Sequence, residues 1–217
     1  MITVPPIARV SPGELAASLD ATLAHWNGAT PVWVFGYGSL IWKPELEFDL
    51  RVPARVFGYH RRLCLRSIRY RGSFDCPGIV AGLDRGGCCA GVAYRIAPGR
   101  LRAQFERLWE REMFMGSYDA RWLRAQRLDE DDRFDALAFV VRHDAPNYAG
   151  RLTETELIDI LTRACGHYGS SLDYLLRTVE SLRSHGVPDP HLERLAHRAQ
   201  HHLSERNLPH PQPRHGA

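Results

Sequence analysis

The sequence predicts an α+β fold, in which a small and mostly antiparallel β-barrel is surrounded by helices and followed by a helical C-terminal tail. Short runs of β-branched and aromatic residues, separated by turn residues, fill the stretch from about 32 to 142. One amphipathic helical pattern interrupts these runs near residue 100, and helical patterns alone follow residue 153. The middle of the chain is therefore a compact sheet of about six short strands with one inserted helix, which predicts a small barrel.

Length and composition are those of an ordinary soluble globular protein. The chain has 217 residues, of which 44% are apolar and 24% charged, and it is long enough for one substantial core. We expect an N-terminal helical extension over residues 1–30 and a single domain over 31–206, with its helical tail from about 153. A disordered tail is expected over 207–217.

Hydropathy and cysteine usage indicate a cytoplasmic protein. No apolar run approaches the length of about 20 residues that spans a bilayer, and no basic segment precedes an apolar one at the N-terminus. We therefore expect no membrane partner. The cysteines are odd in number and none forms a C-x-x-C motif, so we interpret them as reduced thiols. They are Cys64, Cys76, Cys88, Cys89 and Cys165.

The first predicted element is a helix from Pro12 to about Trp26. Ser11 and Glu14 have the spacing of a capping box, with proline at the first helical position. Apolar residues then recur at helical intervals until Asn27-Gly28 ends the pattern. The apolar positions are Leu15, Leu19, Leu23 and Trp26.

An apolar strand pattern over Val32–Phe35 runs into a loop with glycine at positions 36 and 38. Glycine allows close approaches that a side chain would block, so a ligand can meet bare backbone amides there. Ile41 replaces the third glycine of a dinucleotide loop, and no Gly-Lys-Ser/Thr follows. Tyr37 replaces the first glycine of a G-x-S-x-G nucleophile turn. A tight turn without any ligand is the competing interpretation of this stretch.

Seven arginines stand in the next stretch, without an acidic residue between Asp49 and Asp75. Such a segment is found in nucleic-acid-binding faces, but also in twisted strand pairs whose arginines point outward, with one or two reaching a small anionic ligand. We favour the strand pair and expect no nucleic-acid partner, because the net charge is only +3 and no nucleic-acid-binding module is recognisable. The arginines are Arg51, Arg55, Arg61, Arg62, Arg66, Arg69 and Arg71.

Four further strands are predicted before the helical tail. Ile79–Leu83 and Cys89–Ile96 flank a turn at Asp84–Gly87, which suggests a β-hairpin. Tyr118–Leu128 and Phe134–Arg142 alternate like strands on either side of an acidic turn.

The tail begins with a second capping box, formed by Thr153 and Glu156. Helical patterns cover 154–165, 171–184 and 190–206. Histidines near the C-terminus lack ligand spacing beside carboxylates or thiolates, so we expect no metal site there. They are His201, His202, His210 and His215.

The helix predicted from about Arg100 to Met113 carries a carboxylate on its apolar face. An apolar stripe must face the core, and Glu112 falls in the middle of it. Burial of a carboxylate raises its pKa from about 4.3, which suits a general base. A frayed helix end and a structural ion pair with an arginine are the competing explanations. The stripe consists of Leu101, Phe105, Leu108 and Trp109, whereas Glu106, Arg107, Glu110 and Arg111 lie on the opposite side.

Gly116-Ser117-Tyr118 adds backbone freedom and a phenol shortly after Glu112. A cavity between this loop and the glycine loop would contain one base and several amide donors, but no pair of nucleophile and base. That inventory suits a substrate that carries its own nucleophile, since proximity within one molecule can supply effective molarities of about 10⁵ to 10⁸ M. No metal or organic cofactor is implied.

At these residues the sequence resembles the ChaC-type γ-glutamylcyclotransferases, in the expected order over roughly residues 31–200. The resemblance implies a barrel of the γ-glutamylcyclotransferase type and cleavage of glutathione to 5-oxoproline and cysteinylglycine. Two alternatives stay open, which are a non-catalytic γ-glutamyl-binding or regulatory module and a cyclotransferase for other γ-glutamyl compounds. The matching segments are Val34–Trp42, Pro77-Gly78, Gly91–Arg95, Arg111–Met113 with Gly116 and Tyr118, Gly166 and Gly169-Ser170, and Asp173–Leu175.

The resemblance also implies roles for individual residues. Glu112 matches the catalytic base of the family, and Tyr118 follows it at a larger spacing than in shorter members, because Met113–Met115 intervenes before Gly116. The loop that matches the γ-glutamyl-binding segment of the family consists of Gly36, Tyr37, Gly38, Ser39, Leu40 and Ile41.

Overall fold

The computed structural model describes residues 9–206. The tail expected to be disordered over 207–217 lies outside these residues. The helices are α1 (Pro12–Leu23), α2 (Ser39–Trp42), α3 (Pro98–Glu112), α4 (Glu154–Arg163), α5 (Ser171–Ser184) and α6 (Pro190–Arg206). The strands are β1 (Val32–Gly36), β2 (Leu50–Ser67), β3 (Gly78–Ile96), β4 (Tyr118–Arg127), β5 (Arg133–Val141), β6 (Cys165–Gly166) and β7 (Gly169–Ser170).

Five strands form a closed barrel in the order β1-β3-β2-β4-β5. The pairs β1–β3, β2–β3, β2–β4 and β4–β5 are antiparallel, whereas β5 pairs in parallel with β1 and β3. The predicted fold class, a small and mostly antiparallel barrel with surrounding helices and a helical tail, is therefore confirmed.

The prediction of about six short strands was wrong, because β2 and β3 are single strands of 18 and 19 residues. They pair along most of their lengths, and the turn predicted at Asp84–Gly87 is an irregularity inside β3. The register passes from Phe57 opposite Cys88 to Tyr59 opposite Arg85. Gly58 on one strand thus faces two glycines on the other, Gly86 and Gly87, and all three have positive φ. Glycine tolerates this backbone, so the strands bend there without ending.

The N-terminal helix has the predicted capping box, with Ser11 and Glu14 exchanging hydrogen bonds. It ends at Leu23 rather than near Trp26. Its apolar residues pack with those of α3 in one core cluster. The indole nitrogen of Trp109 also donates to Ser18 Oγ at 2.7 Å. The helix is therefore docked directly against the element that carries Glu112.

The helical tail covers one face of the long β2–β3 ribbon. Leu175 and Leu182 of α5 and Leu195 of α6 are buried in one cluster with Ile79 and Ala81 of β3. The capping box of Thr153 and Glu156 at the start of α4 is also present. Among residues 9–206, no helix has the length and apolar character needed to span a bilayer.

The prediction that the arginines of residues 51–71 point outward was wrong for part of the set. Arg66 and Arg71 are buried, and the side chain of Arg61 is only 3% exposed. Arg61 pairs with Asp189 at 2.6 Å, and Arg71 pairs with Asp173, also at 2.6 Å. The helical tail places these carboxylates over β2 and the loop that follows it. The guanidinium groups, which would otherwise face water, are therefore buried in ion pairs between the barrel and the tail.

Candidate active site

One cavity of about 570 Å³ lies where the β1–α2 loop, the end of α3 and the start of β4 meet. Residues that end β2 and the phenol of Tyr174 on α5 complete its wall. Both segments predicted to form a site, the glycine loop and the stretch after Glu112, therefore reach the same cavity.

The structure places four of the six predicted loop residues on the cavity wall, namely Tyr37, Gly38, Ser39 and Leu40. Gly36 and Ile41 do not line it. Gly36 is the last residue of β1 and pairs with Val92 in β3, and Ile41 is 3% exposed in the core. These two residues fix the ends of the loop instead.

Gly38 is the point at which the loop comes closest to α5. A Cβ atom on Gly38 would lie 2.8 Å from the hydroxyl oxygen of Tyr174, which is closer than a Cβ carbon comes to a neighbouring heavy atom. The same hydroxyl accepts a hydrogen bond from the amide of Ala81 at 3.2 Å. Any side chain at position 38 would therefore have to displace the Tyr174 phenol or move the loop.

Glu112 is the last residue of α3 and lines the cavity. The predicted stripe is confirmed, since Leu101, Phe105, Leu108 and Trp109 are each at most 2% exposed. The helix keeps its hydrogen bonding past this point, because the amide of Met113 donates to the carbonyl of Trp109 at 2.8 Å. Fraying of the helix end is thereby excluded, and the Glu112 side chain is only 13% exposed.

In the described part of the chain, the Glu112 carboxylate pairs with one cation, Arg111, whose Nε lies 3.0 Å from Oε1. Burial raises the pKa of Glu112, and the charge of Arg111 opposes that rise without cancelling it. Glu112 is thus both ion-paired with an arginine and a carboxylate with a raised pKa. From the sequence alone, a structural ion pair and a general base are competing explanations.

Three phenols surround this carboxylate. Burial, together with the nearby Glu112, raises the pKa of Tyr37 and of Tyr118 well above 10 and that of Tyr174 to about 12. All three therefore stay protonated near neutral pH and can act only as hydrogen-bonding groups. The Tyr37 hydroxyl already donates to the carbonyl of Phe139 at 2.7 Å.

The wall of the cavity is predominantly cationic, which favours an anionic ligand. Among the described residues, the acidic side chains that line the cavity are Glu45 and Glu112. Among residues 9–206, no group of three or more His, Cys, Asp or Glu side chains is placed to hold a metal ion. The cationic residues are Lys43, Arg66, Arg69, Arg71, Arg111 and Arg177.

The segments that form this cavity all lie within the match to one protein family. The family model described as ChaC-like protein matches residues 32–202, which include the loop, α3, β4 and the helical tail. The chain belongs to the ChaC-like family.

Several curated relatives of this ChaC-like chain carry the name glutathione-specific γ-glutamylcyclotransferase. The Escherichia coli K12 protein is 36% identical over 182 residues, which cover 84% of this chain and 78% of the relative. The mouse protein, named glutathione-specific γ-glutamylcyclotransferase 1, is 35% identical over 190 residues, which cover 84% of this chain and 85% of the relative.

A solved structure of a yeast γ-glutamyl cyclotransferase specific to glutathione has a similar fold. It covers 82% of the ChaC-like chain and 100% of its own, with a TM-score of 0.74 at 21% identity. At that identity the likeness concerns the fold alone, and it agrees with the closed barrel described above.

Sequence reasoning missed three residues at the site of this ChaC-like chain. Arg111 was assigned to the solvent side of α3, but its side chain turns back over the end of the helix. Tyr174 lines the cavity because α5 packs on the barrel, and Arg71 lines it from the loop after β2, where it pairs with Asp173 of α5. The pattern around Tyr174 resembles the family motif, yet nothing in its spacing indicated a place in the cavity.

Proposed function

We propose that this protein is a glutathione-specific γ-glutamylcyclotransferase that converts glutathione to 5-oxoproline and cysteinylglycine. The single observation that carries the proposal is the buried carboxylate of Glu112 on the wall of a cavity shared with the glycine loop. The names of the bacterial and mouse relatives support the same substrate.

The reaction requires only proton transfer and the correct folding of the substrate. The α-amine of the γ-glutamyl residue attacks the γ-carbonyl carbon, a carbon–nitrogen bond closes the five-membered lactam, and the bond to the cysteine nitrogen breaks. Glu112 takes a proton from the attacking nitrogen and returns it to the leaving nitrogen. No water is consumed, because the nucleophile belongs to the substrate.

The glycine loop supplies the binding surface for the γ-glutamyl unit in this proposal. Gly38 precedes α2 without a capping side chain, and the first amides of a helix lack partners within it. The amides near Gly38, Ser39 and Leu40 are thus suited to polar substrate groups and to charge that develops on the carbonyl oxygen. Tyr37 and Tyr118 border the same space with protonated phenols.

The charge of the cavity fits the charge of glutathione. At neutral pH glutathione carries two carboxylates and one ammonium group, so it is a net anion. Six cationic side chains against two carboxylates on the wall favour such a ligand over a neutral or cationic one.

We also place the enzyme in the cytoplasm. All five cysteines are free thiols, two of them buried, as expected in a reducing compartment. Fractionation of cells that express the full chain would test this part of the proposal separately.

The substrate is tested by comparing glutathione with γ-glutamyl dipeptides and with N-acetylglutathione. We expect turnover of glutathione above that of the dipeptides, and none of the N-acetyl compound, because its α-nitrogen is a poor nucleophile. Turnover of N-acetylglutathione at a similar rate would refute attack by the internal amine. Tight calorimetric binding of glutathione without product would instead support a binding or regulatory module.

A further inference from the structure

Arg111 contacts both halves of the site. Its Nε lies 3.0 Å from Oε1 of Glu112, and its Nη2 donates to Ser39 Oγ at 3.1 Å. Its Nη1 donates to the carbonyl of Lys43 at 2.7 Å and to the carboxylate of Glu45 at 2.9 Å. One planar guanidinium therefore links the last turn of α3 to the segment that begins with the glycine loop.

This contact set depends on the shape of arginine. A guanidinium presents five N–H donors in a rigid fork, whereas a lysine ammonium is a compact charge on a flexible stem. The two terminal nitrogens of the fork are hydrogen-bonded to Ser39, Lys43 and Glu45, and this keeps Nε 3.0 Å from Oε1 of Glu112. Oε1 is thus paired with a fixed cation, and within residues 9–206 no hydrogen bond or ion pair is made to Oε2.

We propose that Arg111 is a positioning residue, which holds the Glu112 carboxylate at a fixed distance from the loop that binds the substrate. The inference rests on the proposed function, because the quantity that it fixes is the distance between the base and the attacking amine. Misplacement of a catalytic group by about 1 Å can cost on the order of 10²-fold in rate.

The charged groups around Glu112 predict a second effect of Arg111. From α3 itself, Arg111 lowers the pKa of Glu112, and from the segment after α2, Glu45 raises it. The other titratable groups facing Glu112 are neutral phenols on three further elements. Loss of the guanidinium therefore leaves burial and Glu45 unopposed and raises the pKa of Glu112 further. The phenols are Tyr37, Tyr118 and Tyr174.

The test compares Arg111→Met and Arg111→Lys with Arg107→Met, which removes the same charge from an exposed position one turn earlier on α3. We expect kcat with glutathione to fall about 10²-fold in both Arg111 variants, with a much smaller change in KM. The acidic limb of the pH profile should move to higher pH in Arg111→Met and stay near its native position in Arg111→Lys. Arg107→Met should match the native enzyme in all three quantities.

A titration without substrate separates this inference from the proposed function. Carbon-13 NMR of the labelled Glu112 carboxyl in the full chain should show a higher pKa in Arg111→Met and an unchanged one in Arg107→Met. A native protein that forms no product would refute the proposed function, while the NMR titration would still decide whether Arg111 holds Glu112. An unchanged titration, or a loss of rate that only follows the unfolded fraction, would overturn the positioning role.

Discussion

Within residues 9–206, the carboxylate of Glu112 is paired with one cation, Arg111, and 13% of its side chain is exposed. This combination gives it an ion-paired oxygen, a raised pKa and access to a cavity. A general base needs each of these features, because it must be ionised at the working pH and still accept a proton.

Glu112→Gln tests the role of the base directly. The amide keeps the volume but cannot take a proton, so turnover of glutathione should fall by about 10² to 10⁴ while binding measured by calorimetry remains. The acidic limb of the native pH profile, which reports the raised pKa of Glu112, should be absent from the residual activity. Near-normal turnover per folded molecule would assign Glu112 a structural role instead.

The same substitution makes a separate prediction for stability. Burial raises the pKa of Glu112 in the folded state, so the folded protein binds more protons between the unfolded and folded pKa values. The contribution of this group to the free energy of unfolding therefore falls as pH rises through that interval. Glu112→Gln should be as stable as the native protein or more stable at pH 7, with the difference shrinking below a pH of about 4.

Urea denaturation at both pH values measures this difference. Arg111 keeps Ser39, Glu45 and backbone carbonyls as partners when Glu112 is neutral, so it is not left unpaired. A loss of about 3 to 5 kcal/mol at pH 7 would contradict this account and indicate a structural ion pair.

Gly38→Val tests the close approach of the loop to α5. The added side chain must displace the Tyr174 hydroxyl, which lies 2.8 Å from the position of the new Cβ, or move the loop away from it. Glutathione binding should fall more than thermal stability does. Gly13→Val is the control, since a Cβ at Gly13 meets nothing within 4 Å. If the folded Gly38 variant keeps native affinity, the loop is only a turn.

Individual site residues could be predicted from the sequence where they depart from the pattern expected of their helix or strand. Glu112 stands out because a charge occupies an apolar stripe, and Gly38 because a strand runs into a glycine-containing loop. Arg111 was assigned to the wrong side, because helical periodicity describes where a Cβ points and not where a long side chain at a helix end turns.

Among the elements, helices with capping boxes were predicted well and the long strands were not. The signals at Ser11 and Thr153 are local and belong to one helix each. The continuity of β3 through Asp84–Gly87 depends on pairing with the segment around Gly58, which lies 28 residues before Gly86 in the chain. Glycines in a strand and glycines in a turn look alike until the partner strand is known.

The ion pair between Arg61 and Asp189 ties the helical tail to the barrel. The Arg61 side chain is 3% exposed, and it also donates to the carbonyl of Tyr37 in the glycine loop. Asp189 precedes α6 and accepts from the amides of His191 and Leu192, so it caps that helix as well. One guanidinium, that of Arg61, therefore contacts both the glycine loop and the helical tail.

Asp189→Ala should destabilise the protein by about 3 to 5 kcal/mol, because it leaves a buried charge without its partner. Asp189→Asn keeps a capping oxygen and should isolate the electrostatic part. Asp159→Ala removes only the exposed pair with Arg163 and should cost less than about 1 kcal/mol. Urea denaturation of the three variants checks this order. Equal losses in the free energy of unfolding would show that the buried Arg61–Asp189 pair stabilises the protein no more than an exposed pair does.

In the molecule as a whole, the cavity is assembled from segments that are distant in sequence. The Tyr174 hydroxyl on α5 bonds the amide of Ala81 on β3, across 93 positions of the chain. Length and composition predicted one core and the strand pattern predicted a barrel, but neither showed which wall of the cavity α5 would complete. The cationic character of the cavity was likewise hidden, because the net charge of the chain is only +3.

The product balance for glutathione tests the central claim most directly. If the internal amine attacks and Glu112 moves the proton, purified full chain should release 5-oxoproline and cysteinylglycine in a one-to-one ratio, with no free glutamate. Glu112→Gln should form both products at a rate lower by about 10² to 10⁴. Release of glutamate with cysteinylglycine would show that water is the nucleophile, and absence of any product would contradict the enzymatic account.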